Sequence, residues 1–139
     1  IFVTTPNNPT GGSTDLDSIS RIALAAREIN AIVIIDEAYA EFSSQPSAVT
    51  LINRFPHLIV SRTMSKAFAF AGVRLGYLIA DPIIVDAMHL IRLPYHLSSL
   101  TQAAAISALE NQELLLSDVK KIIESRHHLA KTLSDIGLI

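Results

Sequence analysis

Apolar and polar positions change their period several times along the chain, and each change marks an element. An opening apolar run, "IFVT", is closed by Pro6, and "PNNPTGG" (Pro6 to Gly12) is dense in turn formers. Thr14 is read as a helix cap with Asp17 as its capping-box partner. Leu16, Ile19, Ile22, Ala23, Ala26 and Ile29 then recur at helical spacing. "AIVIID", Ala31 to Asp36, is continuous and β-branched, as in a strand buried on both faces. "HLIVSR" around Ile59 reads the same way, and "RLGYLIAD", Arg74 to Asp81, alternates until Pro82 stops it. Three helical segments follow, at Pro82 to Ile91, Ser99 to Glu110 and Leu114 to Ile136. Ser99 with Gln102 is read as a capping box for the second. Val119, Ile122, Ile123, Leu129 and Leu133 form one face of the third, and Gly137 is its stop. Strands separated by helices predict an α/β fold with a largely parallel sheet. Ligands of such sheets bind at the carboxyl ends of the strands.

Composition narrows the picture. A chain of 139 residues is one domain at most. Half of the residues are apolar and 17% are charged, so much of the surface is expected to be covered. A net charge of -2 argues against nucleic acid as the main partner. With no cysteine there is no disulfide framework and no thiolate metal site, which fits a reducing compartment. No apolar run reaches membrane-spanning length, and no stretch has the pattern of a signal peptide. A cytoplasmic location without membrane contact is expected. The chain starts at Ile1 inside an apolar run and ends at Ile139, two residues past Gly137, so both ends read as cut from a longer protein.

Three segments fall at predicted strand ends. "PNNPTG" is a plain turn or a loop presenting the Asn8 amide to a ligand. In "DEAYAEF", Asp36 is a strand-end cap or a carboxylate facing a cationic ring nitrogen, since a buried carboxylate needs a cation. Tyr39 belongs to the core or aims its hydroxyl at the same ligand. In "SRTMSKAFAFAGVRLGY", Lys66 snorkels to the surface, or is buried with its pKa lowered by desolvation, so that the neutral amine can form a Schiff base. Thr63 and Ser65 offer hydroxyls. Arg74 pairs with a carboxylate, or its fork holds a phosphate. Taken together, the functional readings describe a ligand with an aldehyde, a cationic nitrogen, a polar ring substituent and a phosphate. Pyridoxal 5'-phosphate has all four.

"NNPTG", "DEAYAEF" and "RTMSKAFAFAGVRLGY", in this order and spacing, resemble the fold-type I pyridoxal-phosphate aminotransferases. Within them, "SRTMSKAFAFAGVRLGYLIADP" and "IRLPYHLSSLTQAAA" most resemble the histidinol-phosphate aminotransferases. The resemblance spans essentially the whole chain. It implies the central part of a mainly parallel α/β/α large domain. Residues 1–112 would be part of that cofactor-binding domain, and 113–139 a connecting helix towards a C-terminal small domain. It implies Lys66 as the lysine that carries the cofactor, Asp36 on the pyridine nitrogen, and Asn8 and Tyr39 on the phenolic oxygen. Ser65 and Arg74 would bind the phosphate, with Thr63 as a third. The implied reaction is amino transfer from histidinol phosphate to 2-oxoglutarate by a homodimer. A related aromatic aminotransferase, a threonine-phosphate decarboxylase and a non-catalytic α/β module are the alternatives.

The family's glycine-containing phosphate loop, stacking aromatic and substrate-carboxylate arginine are not in this stretch, so the chain by itself is expected to be inactive. His96 stands where the family often has asparagine, and no substrate role is carried over to it. His57, His89, His127 and His128 are read as surface residues, and the charges of the last helix as a solvated face.

Overall fold

The computed structural model describes residues 1–138, so Ile139, the end of the expected connecting helix, lies outside the described residues. Four strands form one sheet in sequence order: β1 (Phe2–Thr4), β2 (Val33–Asp36), β3 (Leu58–Thr63) and β4 (Gly76–Ile79). The helices are α1 (Leu16–Glu28), α2 (Pro82–Ile91), α3 (Ser99–Glu110) and α4 (Gln112–Asp135).

The first three strands are parallel, and β4 runs antiparallel to β3. The largely parallel expectation thus holds for three strands. The fourth departs because the β3–β4 connection contains a 3-10 turn, Ala71–Val73, and no helix. A parallel return needs a long crossover, usually helical; without one the chain doubles back.

One core lies between α1 and one face of the sheet. Ile19, Ala23 and Ala26 of α1 pack with Val33 and Ile35 of β2, Leu58 and Val60 of β3, and Ala48 and Phe55. The alternate residues Ile34 and Asp36 are only half-buried, so β2 is not covered on both faces as its composition predicts. A second cluster joins Met64, Ala67 and Phe68, beyond β3, to Ala108 of α3 and Val119 of α4. On α4, Val119 is buried and Ile123 and Leu133 are half-buried, but Ile122 and Leu129 are exposed, so the apolar face is narrower than its spacing predicts. No helix among the described residues is long and apolar enough to cross a membrane.

The caps shift by one residue from those read in the sequence. Asp15, not Thr14, caps α1: its carboxylate accepts the Ser18 amide at 2.7 Å, and that bond holds its pKa below the ordinary value. Thr14 instead donates its amide to Thr5 Oγ1 at 2.9 Å. Ser98, not Ser99, caps α3 by accepting the Thr101 amide, and Gln102 Nε2 donates to the Leu97 carbonyl. Both observed caps have the extended backbone that aims a short side chain back at the first turn. Asn111 serves both the end of α3 and the start of α4, so α4 begins two residues before Leu114. Gly137 closes α4 as predicted. Its φ is +76°, and the Gly137 and Leu138 amides donate to the Ser134 and Leu133 carbonyls.

Candidate active site

Parallel pairing brings the carboxyl ends of β1, β2 and β3 to one edge of the sheet. Thr4 aligns with Asp36, and Asp36 with Ser61. The ladder runs one step further, with the Thr5 amide donating to the Asp36 carbonyl and the Glu37 amide to the Ser61 carbonyl, both at 2.9 Å. The loops that follow these strands carry Asn8, Tyr39 and Lys66.

These three side chains converge. Asn8 Nδ2 donates to the Tyr39 hydroxyl at 3.2 Å across 31 residues of sequence. Lys66 Nζ stands 5.5 Å from the centroid of the Tyr39 ring, within cation–π range. Asp36 ends β2 half-buried and accepts the Ala38 amide on Oδ1 at 3.1 Å, which leaves Oδ2 for another donor. The expectation of a buried Lys66 is not met. Met64, Ala67 and Phe68 take the apolar cluster, while Lys66 points away from it and is exposed.

Thr63 Oγ1 is engaged within the chain: it donates to the Leu75 carbonyl at 3.2 Å and accepts the Ser65 amide at 3.1 Å. It thereby shapes the turn that presents Ser65. Arg74 is exposed, has left-handed backbone at φ +59°, and donates from Nη1 to the Ala71 carbonyl at 2.9 Å. That conformation costs an L-residue about 1–2 kcal/mol. Two residues on, a Cβ at Gly76 would lie 3.1 Å from the Arg62 carbonyl, a tight contact that the close β3–β4 approach disfavours.

Three charged residues of the site region escaped the sequence reading. Arg62 Nη2 meets Glu37 Oε2 at 2.7 Å, and Nη1 meets Glu41 Oε1 at 3.0 Å. Glu37, 3% exposed, also accepts Ser47 Oγ at 2.8 Å and the Ala48 amide at 2.7 Å. Removing one partner of such a buried pair costs about 3–5 kcal/mol. The signal was available: strand alternation puts Glu37 and Arg62 on the face opposite Asp36 and Ser61. Beside Arg62 in the register, Tyr77 has its phenol pKa raised by burial.

Two expectations for surface residues are corrected. His57 is half-buried, its Nε2 2.8 Å from the Ala23 carbonyl, and ties the start of β3 to α1. Arg126 is not part of a purely solvated face, because its Nη1 donates to the Phe42 carbonyl at 3.3 Å. It lines a cleft of about 380 Å³ with Asn7, Asn8, Tyr39 and Ser43. Lys66, Asp36 and Arg74 are not in the wall of that cleft.

The aminotransferase class I and II profile matches residues 1–139. The chain belongs to that family. It is 57% identical over 138 residues to a histidinol-phosphate aminotransferase of Mycobacterium sp. (strain JLS), a match covering 99% of this chain and 36% of the relative. A histidinol-phosphate aminotransferase of Corynebacterium glutamicum (strain R) is 56% identical, with 37% of its length covered. The chain thus spans little more than a third of the curated relatives it matches. The crystal structure of the histidinol-phosphate aminotransferase from Clostridium acetobutylicum superposes with a TM-score of 0.86 at 30% identity, covering 99% of this chain and 42% of that one. The Sinorhizobium meliloti enzyme, solved in complex with pyridoxal-5'-phosphate, gives 0.80 at 32% identity, covering 98% and 37%. The α/β fold expected from the sequence is therefore that of aminotransferases of this family.

Proposed function

We propose that this chain supplies the lysine-bearing wall of a pyridoxal-phosphate site in a transaminase that moves an amino group from histidinol phosphate to 2-oxoglutarate. The observation that carries the reading is the meeting of Asn8, Tyr39 and Lys66 beside Asp36 at one edge of a parallel sheet. The donor set fits the cofactor: an amine for its aldehyde, a carboxylate for its ring nitrogen, an amide and a phenol for its phenolic oxygen, and hydroxyls with a guanidinium for its phosphate. When bound, the cofactor supplies an electron sink for charge developing at the substrate α-carbon.

The chain's own residues do the rest. Lys66 would hold the cofactor through its aldehyde, and its amine would take and return a proton at the substrate α-carbon as general base and acid. Its exposure leaves the amine free to reach that atom. Asp36 would keep a proton on the ring nitrogen. Asn8 and Tyr39 would donate to the phenolic oxygen. Ser65 and Arg74 would hold the phosphate, with Thr63 as a third donor.

In this reading residues 1–112 are part of the cofactor-binding domain and 113–139 lead towards a small domain; the mostly exposed second half of α4 supports this. A cytoplasmic homodimer is part of the same reading. The identity of 55–57% with relatives named histidinol-phosphate aminotransferase supports the choice of substrate.

The deciding experiment assays the full-length parent with histidinol phosphate and 2-oxoglutarate, with aromatic amino acids as competing donors and threonine phosphate as a decarboxylation substrate. A kcat/KM for histidinol phosphate at least tenfold above the other substrates is expected. Preference for an aromatic donor, or release of carbon dioxide from threonine phosphate, would overturn the substrate assignment.

Arg74 carries a second prediction. Arg74→Ala weakens cofactor affinity in the parent by about tenfold or more, and Arg74→Lys by less, because lysine keeps the charge and loses the fork. Absorbance titration measures this, and equal affinity in all three proteins would leave Arg74 with only its bond to Ala71.

A further inference from the structure

The face of the sheet opposite Asp36 carries a charged clamp that the proposed chemistry does not use. Arg62 lies on β3 between Ser61, the register partner of Asp36, and Thr63. Its guanidinium holds Glu37 at 2.7 Å and Glu41 at 3.0 Å. Those carboxylates bracket Tyr39, one two residues before it and the other two residues after. The backbone between them is a tight turn, with the Ala40 amide on the Glu37 carbonyl and the Phe42 amide on the Tyr39 carbonyl. The Tyr39 side chain itself is held by the 3.2 Å bond from Asn8 and by the Phe42 ring, whose centroid is 6.2 Å away.

We infer that Arg62 is a positioning residue: by gripping Glu37 and Glu41 from behind the sheet, it fixes where the Tyr39 hydroxyl stands relative to Lys66. The inference rests on the proposed role of Tyr39. Two features carry it. A guanidinium is a rigid planar fork, so two carboxylates bound to it keep a set separation, which a lysine ammonium would not impose. Arg62 and Lys66 are four residues apart on β3 and its loop, so the clamp references Tyr39 to the same strand that delivers the lysine.

The test uses the cofactor-loaded full-length parent and five variants: Arg62→Gln, Arg62→Lys, Glu41→Gln, Tyr39→Phe and Arg62→Gln/Tyr39→Phe. Cofactor affinity and absorption band, kcat, KM and Tm are measured for each. Arg62→Gln is expected to lower kcat by about 10- to 100-fold in the folded protein, as small misplacements do, with a smaller change in KM. The cofactor band should shift in the direction seen for Tyr39→Phe, and Arg62→Lys should restore part of the loss. The double variant should match Tyr39→Phe alone, since coupled residues are not additive. If Arg62→Gln does not fold, Glu41→Gln, which frees one arm of the clamp, carries the same comparison with a smaller loss of kcat. A lowered Tm with unchanged kcat and band, or strictly additive effects of the two sites, overturns the inference and leaves the role of Tyr39 standing. A parent with no cofactor band, or one in which Tyr39→Phe changes nothing, overturns the site assignment and this inference with it.

Discussion

Borohydride reduction of the cofactor-loaded full-length parent is expected to place a stable label on Lys66, and Lys66→Ala to lower turnover by about 10²–10⁴-fold or more. Of the lysines in this chain, Lys66 alone is set against the Tyr39 ring at the carboxyl edge of the sheet. Lys120, Lys121 and Lys131 lie on α4, where Lys121 is spent on Asp118 at 2.7 Å. The hydrogen bond from Lys121 to Asp118 raises the Lys121 pKa, which makes its amine a poorer nucleophile at neutral pH. Peptide mapping after reduction decides the matter. A label on any of the α4 lysines, or a Lys66→Ala parent that turns over at the normal rate, would remove Lys66 from the chemistry.

Asp36→Asn is expected to leave the fold intact and cut turnover by roughly two to three orders of magnitude, the scale of losing a preorganised charge at a reacting centre. Asparagine can still cap the turn, because its side-chain oxygen can accept the Ala38 amide as Asp36 Oδ1 does at 3.1 Å. Thermal stability should therefore change little. The amide carries no negative charge, so it cannot hold a proton on a ring nitrogen. The two roles of Asp36, as a turn former and as a counter-ion, separate cleanly in this variant. Unchanged Tm with lost turnover supports the counter-ion role, while near-normal turnover would make Asp36 only a strand-end residue.

Much of this was readable in one dimension, for identifiable reasons. The runs at Val33–Asp36 and Leu58–Thr63 are short and β-branched, and strand preference is local. The bounds of α2 and α3 fall where Pro82 and the Ser98-Ser99 pair put them, because breakers and caps act on the adjacent backbone. Asn8, Tyr39 and Lys66 could be named because each follows a strand end. The caps of α1 and α3 are Asp15 and Ser98 where Thr14 and Ser99 are expected, since neighbouring polar residues offer similar capping groups and the backbone decides which one reaches the first turn.

The sequence by itself determined the elements, the order of the three loops and the chemical types they carry, because these depend on neighbours along the chain. Tertiary structure decided what depends on separation in space. It turned β4 antiparallel, exposed Lys66 by giving the apolar cluster to Met64, Ala67 and Phe68, and drew His57 onto α1 and Arg126 onto the Phe42 carbonyl. Above all it joined Arg62 to Glu37 and Glu41. Charged residues so far apart in the chain become partners only when parallel pairing aligns β2 with β3, alternation turns Glu37 and Arg62 to the same face, and the 3-10 turn Ala40–Phe42 brings Glu41 back to them.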